Sequence, residues 1–118
     1  MMFVNAFAVA VTLVAPAAVT ALQFLPGETP YFTVCKGAGF ADCARANYDF
    51  GECHDFTSEY TDVITSFNTY GTYCRLYETT GCEDESKSFV YSGSVEDLAK
   101  EDASISRYDD KLASYKCG

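Results

Sequence analysis

Two stretches of this chain share one pattern of threonine and cysteine. TVCKGAGFADC covers residues 33–43 and TYCRLYETTGC covers residues 72–82, so the frame Thr-x-Cys-x7-Cys occurs twice at an offset of 39 residues. A period near forty residues is the length of one supersecondary unit. The sequence therefore predicts two copies of one small unit, each of which begins with a strand and a tight turn.

The N-terminal segment differs in composition from the rest of the chain. Residues 1–21, MMFVNAFAVAVTLVAPAAVTA, contain no Asp, Glu, Lys or Arg and end in small residues of the kind that a signal peptidase recognises. About 20 apolar residues could also span a bilayer as an uncleaved anchor, but the Ala-rich composition and Pro16 favour cleavage. We therefore interpret residues 1–21 as a signal peptide, residues 22–30 as an N-terminal extension and residues 31–118 as a single secreted, extracellular domain.

The cysteines indicate how so small a domain is stabilised. About 97 residues remain after the signal peptide, and a domain of this size buries only about two-thirds of its unfolded surface. An even number of cysteines in an oxidising compartment predicts disulfides. A zinc–thiolate site lacks the necessary spacing, because no Cys-x2-Cys pair occurs and His54 is the only histidine. The cysteines are Cys35, Cys43, Cys53, Cys74, Cys82 and Cys117.

Spacing also favours one disulfide pairing. Residues eight apart can lie opposite each other in a hairpin, where β-carbons come within about 5.5 Å. This predicts Cys35–Cys43 and Cys74–Cys82 bridges, which leaves Cys53 to pair with Cys117. Six cysteines allow 15 pairings, so the connectivity stays open at this point.

The charge of the chain excludes two classes of partner. The formal net charge is −9, and every charged residue follows residue 21. Phosphate backbones and anionic membranes both attract clustered Lys and Arg. We therefore expect no nucleic acid and, after signal cleavage, no membrane as partner, and we attribute the acidity to solubility.

Short runs rich in aromatic and β-branched residues indicate an all-β fold. Turn-forming residues bound each run, as in a sandwich or barrel. The segment SVEDLAKEDASISRY (94–108) differs, because Ser94 followed by Asp97 resembles a capping box, and it predicts one short surface helix of about two turns. The β-like runs are residues 31–35, 44–50, 62–70, 71–77, 87–92 and 111–117.

The repeat continues into the second half of each unit. Asp62 and Ser66 recur as Asp110 and Ser114 at an offset of 48 residues, so the second unit should carry nine extra residues, which the helix accommodates. Each unit then has four short strands connected as a Greek key. Two such units, residues 31–70 and 71–117, must bury their apolar faces against each other as a two-sheet sandwich.

These features resemble the βγ-crystallin family, whose Greek-key unit contains an aromatic-x4-[FWY]-x-Gly hairpin and a later [ND]-[ND]-x-x-[ST]-Ser stretch. In the first unit the hairpin positions hold Cys35 and Phe40, with Asp42 in place of the glycine. In the second unit they hold Cys74 and Gly81, with Thr79 in place of the aromatic residue. The resemblance covers residues 31–117 and implies a βγ-crystallin-like sandwich.

The resemblance also implies calcium as the one candidate cofactor. In the family the serine stretches of the two units share two cation sites. Thr61 replaces an acidic residue and Ala113 replaces a hydroxyl, and calcium needs six to eight hard oxygen ligands, so at most one degraded site is expected. The residues that the resemblance assigns are Asp62, Thr65, Ser66, Asp109, Asp110 and Ser114.

No catalytic residue is predicted. His54 and Asp55 lack a nucleophile motif such as Gly-x-Ser-x-Gly. Glu83, Asp84 and Glu85 lie side by side in sequence, so they cannot face one another across a cleft as glycosidase carboxylates do. The remaining alternative for an enzyme, a secreted hydrolase, requires a concave pocket that holds titratable groups.

The function expected from these observations is protein binding. The family includes lens proteins, calcium binders, a killer toxin and a metalloproteinase inhibitor, and this tyrosine-rich chain is similar to small secreted effector candidates of filamentous fungi. Nine tyrosines exceed what a small core absorbs, and exposed tyrosine suits recognition. We expect a non-enzymatic monomer that binds a host protein, a competitor protein or an extracellular hydrolase. The alternative is a hydrolase inhibitor or a killer-toxin-like protein, although the charge disfavours toxins that attack anionic envelopes.

Overall fold

The computed structural model describes residues 28–118, so the signal peptide and residues 22–27 of the predicted extension lie outside the described part. Strands and short turns make up most of this part, with one short helix, α1 (Ala103–Ser106), and three turns of 3-10 helix at Thr80–Cys82, Glu85–Lys87 and Leu98–Lys100. This confirms an all-β fold. The strands are β1 (Tyr31–Gly37), β2 (Ala41–Asn47), β3 (Cys53–Asp55), β4 (Ser66–Asn68), β5 (Cys74–Tyr77), β6 (Ser88–Tyr91), β7 (Ser94–Val95) and β8 (Ser114–Cys117).

Two antiparallel four-stranded sheets form the sandwich. Their strand orders are β2-β1-β4-β7 and β3-β8-β5-β6. The third strand of each unit lies in the sheet of the other unit, because β3 pairs with β8 and β7 pairs with β4. The two Greek-key units are therefore confirmed, and they are joined by an exchange of strands that the repeat alone did not predict.

The core lies between the sheets and is largely aromatic. Phe32 and Val34 alternate with half-buried residues along β1, as expected for a strand with one buried face. Phe32 packs edge-on against Tyr115 with ring centroids 5.1 Å apart, and Phe56 lies 4.6 Å from the same ring. Edge-to-face and tilted ring pairs of this kind stabilise a core beyond the area that they bury. The remaining large core residues include Tyr48, Ile64, Phe67, Leu76, Leu98, Tyr108 and Leu112.

The structural repeat is three residues out of step with the repeated cysteine frame. Ser66 lies opposite Cys35, and Ser114 lies opposite Tyr77. Since the two serines are equivalent at an offset of 48, Cys35 corresponds to Tyr77 at an offset of 42 and not to Cys74 at 39. The second unit therefore has six extra residues, and the prediction of nine is wrong.

The extra residues lie in the connection that leads to the closing strand. Phe56 N–H donates to the Ala113 carbonyl, and Leu98 N–H donates to the Thr65 carbonyl. Phe56 and Leu98 are thus equivalent at an offset of 42, and Thr65 and Ala113 at 48. The insertion follows Leu98 and contains α1, so its predicted position in the surface helical connection is correct.

The corrected register also assigns the hairpin signature of the first unit to different residues. Gly39 and Gly81 are 42 residues apart and have φ angles of 70° and 71°, a left-handed conformation that glycine adopts without steric cost. Gly39 is therefore the signature glycine, with Phe32 as the aromatic residue and Gly37 in place of the second one. The prediction that Cys35, Phe40 and Asp42 occupy these positions is wrong.

The predicted helix over residues 94–108 is two separate turns. Ser94 is in β7, where Val95 is buried against β4. The Asp97 carboxylate accepts from Ala99 N–H and begins the turn Leu98–Lys100, and Asp102 begins α1 in the same way. Glu101 between them is extended, because each Asp favours a new N-cap over a continuous helix.

One predicted disulfide is confirmed and two are wrong. Cys35 pairs with Cys43, but Cys74 pairs with Cys117 and Cys53 with Cys82. Cys74 and Cys117 face each other on β5 and β8, with α-carbons 4.0 Å apart. Cys82 lies in the turn after β5, which packs beside β3. In the hairpin of the second unit Cys74 lies opposite Tyr91, so Cys82 is not its cross-strand partner.

Within residues 28–118, no helix has the length and apolar character needed to cross a membrane.

Candidate functional site

The equivalent serines of the two repeats, Ser66 and Ser114, stabilise the hairpins. The Ser66 hydroxyl donates to the Gly37 carbonyl at 2.7 Å and accepts from Phe40 N–H at 3.2 Å. The Ser114 hydroxyl donates to the Thr79 carbonyl at 2.5 Å and accepts from Cys82 N–H at 3.0 Å. Both serines are fully buried. Their oxygen atoms therefore stabilise the folded hairpins and are not oriented as ligands of a shared cation.

Three other residues of the predicted calcium set do converge. The Thr65 hydroxyl donates to a carboxylate oxygen of Asp110 at 3.1 Å, across the boundary between the two units. The neighbouring Asp109 has one buried carboxylate oxygen, Oδ1, that has no hydrogen-bond partner among residues 28–118. Burial raises the pKa of Asp109, and the nearby charges of Asp110 and Asp97 add to this effect, whereas the Thr65 hydroxyl opposes it. A half-buried carboxylate beside a second carboxylate and a hydroxyl is a donor set that suits Ca²⁺.

The symmetry-related position lacks two of these three ligands. Asp62 N–H donates to the Leu112 carbonyl, just as Asp110 N–H donates to the Ile64 carbonyl, so the two aspartates are equivalent. Ala113 stands in place of the threonine, and the Thr61 hydroxyl donates to the Thr57 carbonyl at 3.0 Å. The residues therefore fit a cation at one of the two positions only.

A cleft of about 320 Å³ opens between the edge strands β2 and β3. Asp55 and Glu59 line it, but the Asp55 carboxylate accepts from Gly81 N–H at 2.8 Å and the Glu59 carboxylate binds the Lys36 ammonium at 3.1 Å. Tyr115 also lines the cleft, and burial raises the pKa of its hydroxyl to about 12. Both carboxylates thus have structural partners, and the phenol stays protonated at neutral pH.

The residues considered for catalysis do not form a nucleophilic arrangement. His54 and Asp55 are neighbours on β3, so their side chains point to opposite faces. The His54 ring stacks on Tyr115 with centroids 5.7 Å apart, and no hydroxyl within residues 28–118 forms a hydrogen bond with it. The side chains of this pair therefore act separately.

The acidic run Glu83, Asp84 and Glu85 contains a residue that caps a turn. Asp84 begins the turn Glu85–Lys87 and accepts from Ser86 N–H at 3.0 Å. The Ser86 hydroxyl donates to the same carboxylate and lowers the pKa of Asp84. The adjacent carboxylates of Glu83 and Glu85 are exposed on the same connection. These three groups lie on one surface segment, as expected of a solvated charge run.

More tyrosine side chains are buried in the core than the sequence indicated. Tyr73 alone among the nine is strongly exposed, at 67%. Tyr31, Tyr70 and Tyr91 are half-buried. The prediction of an extensive tyrosine surface is therefore too strong. The buried tyrosines are Tyr48, Tyr60, Tyr77, Tyr108 and Tyr115.

Sequence reasoning missed the second large exposed aromatic residue, Phe50, which is 66% exposed. Its turn runs from Asp49 to Glu52, where Glu52 N–H donates to the Asp49 carbonyl at 3.1 Å and Gly51 has a φ of 77°. Such a turn requires glycine at its third position, so the quartet Asp-Phe-Gly-Glu is a signal that could have predicted an aromatic residue displayed in a turn.

Phe50 and Tyr73 flank the C-terminal residue. Gly118 N–H donates to the Tyr73 carbonyl at 2.9 Å, and a side chain at Gly118 would meet the Phe50 ring at 2.8 Å. Phe50 also packs edge-on against buried Tyr48 with centroids 5.5 Å apart. We call Phe50, Tyr73 and Gly118 the aromatic end of the molecule.

Comparisons with known proteins agree on the fold. No protein-family model and no curated protein sequence matches the chain. Solved structures that resemble it include a βγ-crystallin from Ciona intestinalis, at a TM-score of 0.55 and 13% identity over 75% of this chain and 99% of that one. A βγ-crystallin domain from Flavobacterium johnsoniae gives a TM-score of 0.53 and 15% identity over 74% and 92% of the two chains. The chain therefore has the βγ-crystallin fold, and these identities carry no conclusion about its function.

Proposed function

We propose that this protein is a secreted, disulfide-stabilised, non-enzymatic module that binds another extracellular protein. The observation that carries the proposal is the aromatic end, where Phe50 and Tyr73 are both about two-thirds exposed. Large aromatic side chains dominate the binding energy of protein interfaces. The partner is a host protein, a competitor protein or an extracellular hydrolase.

The backbone that carries these two side chains is well anchored. Cys53, one residue beyond the Phe50 turn, is bonded to Cys82, and Cys74, which follows Tyr73, is bonded to Cys117. Gly51 N–H also donates to the Cys117 carbonyl at 2.6 Å. A surface that is ordered before binding loses little conformational entropy in the complex, which favours affinity.

A hydrolase inhibitor or killer-toxin-like protein is the second candidate. The turn Asp49–Glu52 presents one exposed aromatic side chain at its second position, and a disulfide follows directly. A rigid turn of this kind suits insertion into the cleft of an enzyme. The net charge of −9 supports an enzyme target over an anionic cell envelope.

The test compares three proteins in the same capture experiment. Immobilised wild-type protein, a Phe50→Ser/Tyr73→Ser variant and a Val90→Ser control are exposed to extracellular proteins of hosts and competitors. Val90 is 46% exposed on the edge strand β6, so it matches the loss of an exposed apolar side chain elsewhere on the surface. For a captured protein, we expect the affinity to fall at least about tenfold in the double variant and to stay unchanged in the control.

Equal affinity for all three proteins would contradict the proposal. If the captured protein is a hydrolase, its activity is measured against increasing wild-type protein and against Phe50→Ser. Inhibition that is lost in Phe50→Ser favours the inhibitor candidate, and binding without inhibition favours the binding module.

We also propose one weak calcium site at Thr65, Asp109 and Asp110, supported by the buried, unpartnered Asp109 carboxylate oxygen. The affinity expected is that of extracellular modules, in the range of about 10⁻⁴ to 10⁻³ M. Titration calorimetry compares the wild type with Thr65→Ala. A saturable isotherm that is lost in the variant supports the site, whereas identical responses leave only attraction by the net charge.

A further inference from the structure

A second cluster of metal-ligating side chains lies beside the Phe50 turn, apart from the calcium position. Asp49, Glu52 and His54 each place one ligand atom within 4.8 Å of the others. Asp49 and Glu52 are the two ends of the β-turn, and His54 follows on β3, so short-range chain geometry brings the three side chains together. The cluster combines an imidazole with two carboxylates.

The hydrogen bonding of His54 leaves an unusual contact. Asp49 N–H donates to His54 Nε2 at 3.3 Å, which requires Nε2 to carry a lone pair. The same Nε2 atom lies 3.4 Å from Asp49 Oδ2. Two acceptor atoms therefore face each other, and such a contact is unfavourable unless a proton or a metal cation lies between or beside them.

The separation of these two atoms fits a tetrahedral metal ion. Zinc binds histidine nitrogen and carboxylate oxygen at about 2.0–2.2 Å, and two such ligands at a tetrahedral angle are about 3.3–3.5 Å apart. The observed 3.4 Å between Nε2 and Oδ2 lies within this range. Glu52 is exposed, so its side chain can rotate towards the third position without disturbing the core.

The imidazole is held in place for such a role. Its ring stacks on Tyr115 with an interplanar angle of 21°, and its strand is bonded through Cys53 to Cys82. A ligand that is already oriented loses less conformational freedom when a metal binds. Metal binding would replace only the long hydrogen bond from Asp49 N–H, which is at an exposed residue that water can reach.

We infer that Asp49, Glu52 and His54 form a Zn²⁺ site with an open coordination position for water. The mixture of one nitrogen and two oxygen ligands suits Zn²⁺ better than Ca²⁺, which prefers oxygen ligands only. This site is independent of the proposed binding function. When occupied, it would tie together both ends of the turn that displays Phe50.

The test titrates Zn²⁺ into the chelator-treated mature protein by calorimetry, in buffer that contains calcium to saturate other acidic positions. We expect one saturable site, a loss of binding in His54→Ala and an affinity at least about tenfold lower in Glu52→Gln. Glu83→Gln is the matched control, because it removes the same charge from an exposed residue outside the cluster. Near-ultraviolet circular dichroism shows whether each variant keeps its fold.

A second measurement identifies the ligands directly. Co²⁺ added in place of Zn²⁺ should give the visible absorption bands of a nitrogen- and oxygen-ligated ion, and these bands should be absent in His54→Ala. A folded His54→Ala variant that binds Zn²⁺ as the wild type does would overturn the inference. Equal weakening by Glu52→Gln and Glu83→Gln would overturn it as well, because that result reports only the overall charge.

Discussion

Two buried tyrosines show that the contribution of a hydroxyl to stability depends on whether it has a hydrogen-bond partner. The Tyr115 hydroxyl donates to the Asn47 carbonyl at 2.5 Å. The Tyr77 hydroxyl has no hydrogen-bond partner in the described part of the chain, although the residue is fully buried. Tyr115→Phe should lower the free energy of unfolding by about 1 kcal/mol, the usual net value of a hydrogen bond. Tyr77→Phe should leave it unchanged or raise it slightly. Chemical denaturation of both variants measures the difference, and equal losses would contradict the assignment.

The same Tyr115 hydroxyl predicts a response to alkaline pH. Burial raises its pKa to about 12, whereas the phenol of an unfolded tyrosine has a pKa of about 10. The stabilisation is therefore complete below about pH 10 and is lost as the pH rises towards 12. The decline in stability over this interval should be smaller in Tyr115→Phe than in the wild type. An unchanged decline would show that other groups control alkaline unfolding.

Asp109 predicts an effect of the same sense in the acidic range, because its pKa is also raised. Burial raises its pKa, so this group stabilises the fold below the ordinary carboxyl pKa of about 3.9 and the benefit is lost as the pH rises through the raised value. In calcium-free buffer at pH 7, Asp109→Asn should increase the melting temperature by a few degrees, and at pH 3 by nothing. Asp62→Asn removes the same charge from an exposed position and is the control. A gain at pH 3 equal to that at pH 7 would contradict the prediction.

At the scale of elements, each hairpin depends on one serine of a distant strand. Ser66→Ala removes a hydroxyl that satisfies both the Gly37 carbonyl and Phe40 N–H, and Ser114→Ala does the same in the second unit. Each change should cost about 1–3 kcal/mol, the penalty for unpaired buried polar groups. Ser94→Ala, at an exposed residue, is the control and should cost under about 0.5 kcal/mol. Thermal unfolding of the three variants distinguishes these values.

The elements also show which parts of the fold the sequence could predict. Short turn-bounded runs rich in aromatic and β-branched residues indicated β1, β2, β4, β5, β6 and β8. They did not identify β3 and β7, because Cys53–Asp55 and Ser94–Val95 contain a single β-branched residue, Val95, and no Phe, Tyr or Trp. These are the exchanged strands, so the same composition concealed the exchange.

The repeated cysteine frame predicted the wrong offset between the two units for a physical reason. Cys35 and Cys74 match in sequence, but Ser66 lies opposite Cys35 and Ser114 lies opposite Tyr77, and both serines fix their hairpins through buried hydrogen bonds. Tyr77, and not Cys74, is therefore the structural counterpart of Cys35. Disulfide pairing is a tertiary property that spacing alone does not determine. The sequence also could not show which candidate calcium residues lie together. Only the folded structure shows that Ser66 and Ser114 bind the hairpins, whereas Thr65 binds Asp110.

For the whole molecule, the disulfides should differ in their contribution to stability. Cys74–Cys117 closes a loop with a sequence separation of 43, and Cys35–Cys43 one of 8. In the chain-entropy treatment, the longer loop stabilises the fold by about 1.5 kcal/mol more. Paired Cys→Ala substitutions at each bridge, followed by chemical denaturation, test this order. The reverse order would show that contacts at the shorter bridge outweigh the entropy of the unfolded chain.

The Cys53–Cys82 bridge joins the two units, and together with the exchanged strands it determines how the protein responds to a cut by a protease. A cut in the connection at residues 70–72, which contains Gly71 with a φ of 87°, would divide the polypeptide into two pieces. Each piece would still have one strand inserted in the sheet of the other, and a covalent bond would hold the pair. The nicked protein should therefore migrate as an intact chain until it is reduced, so a single cleavage by a protease would leave the proposed binding surface assembled.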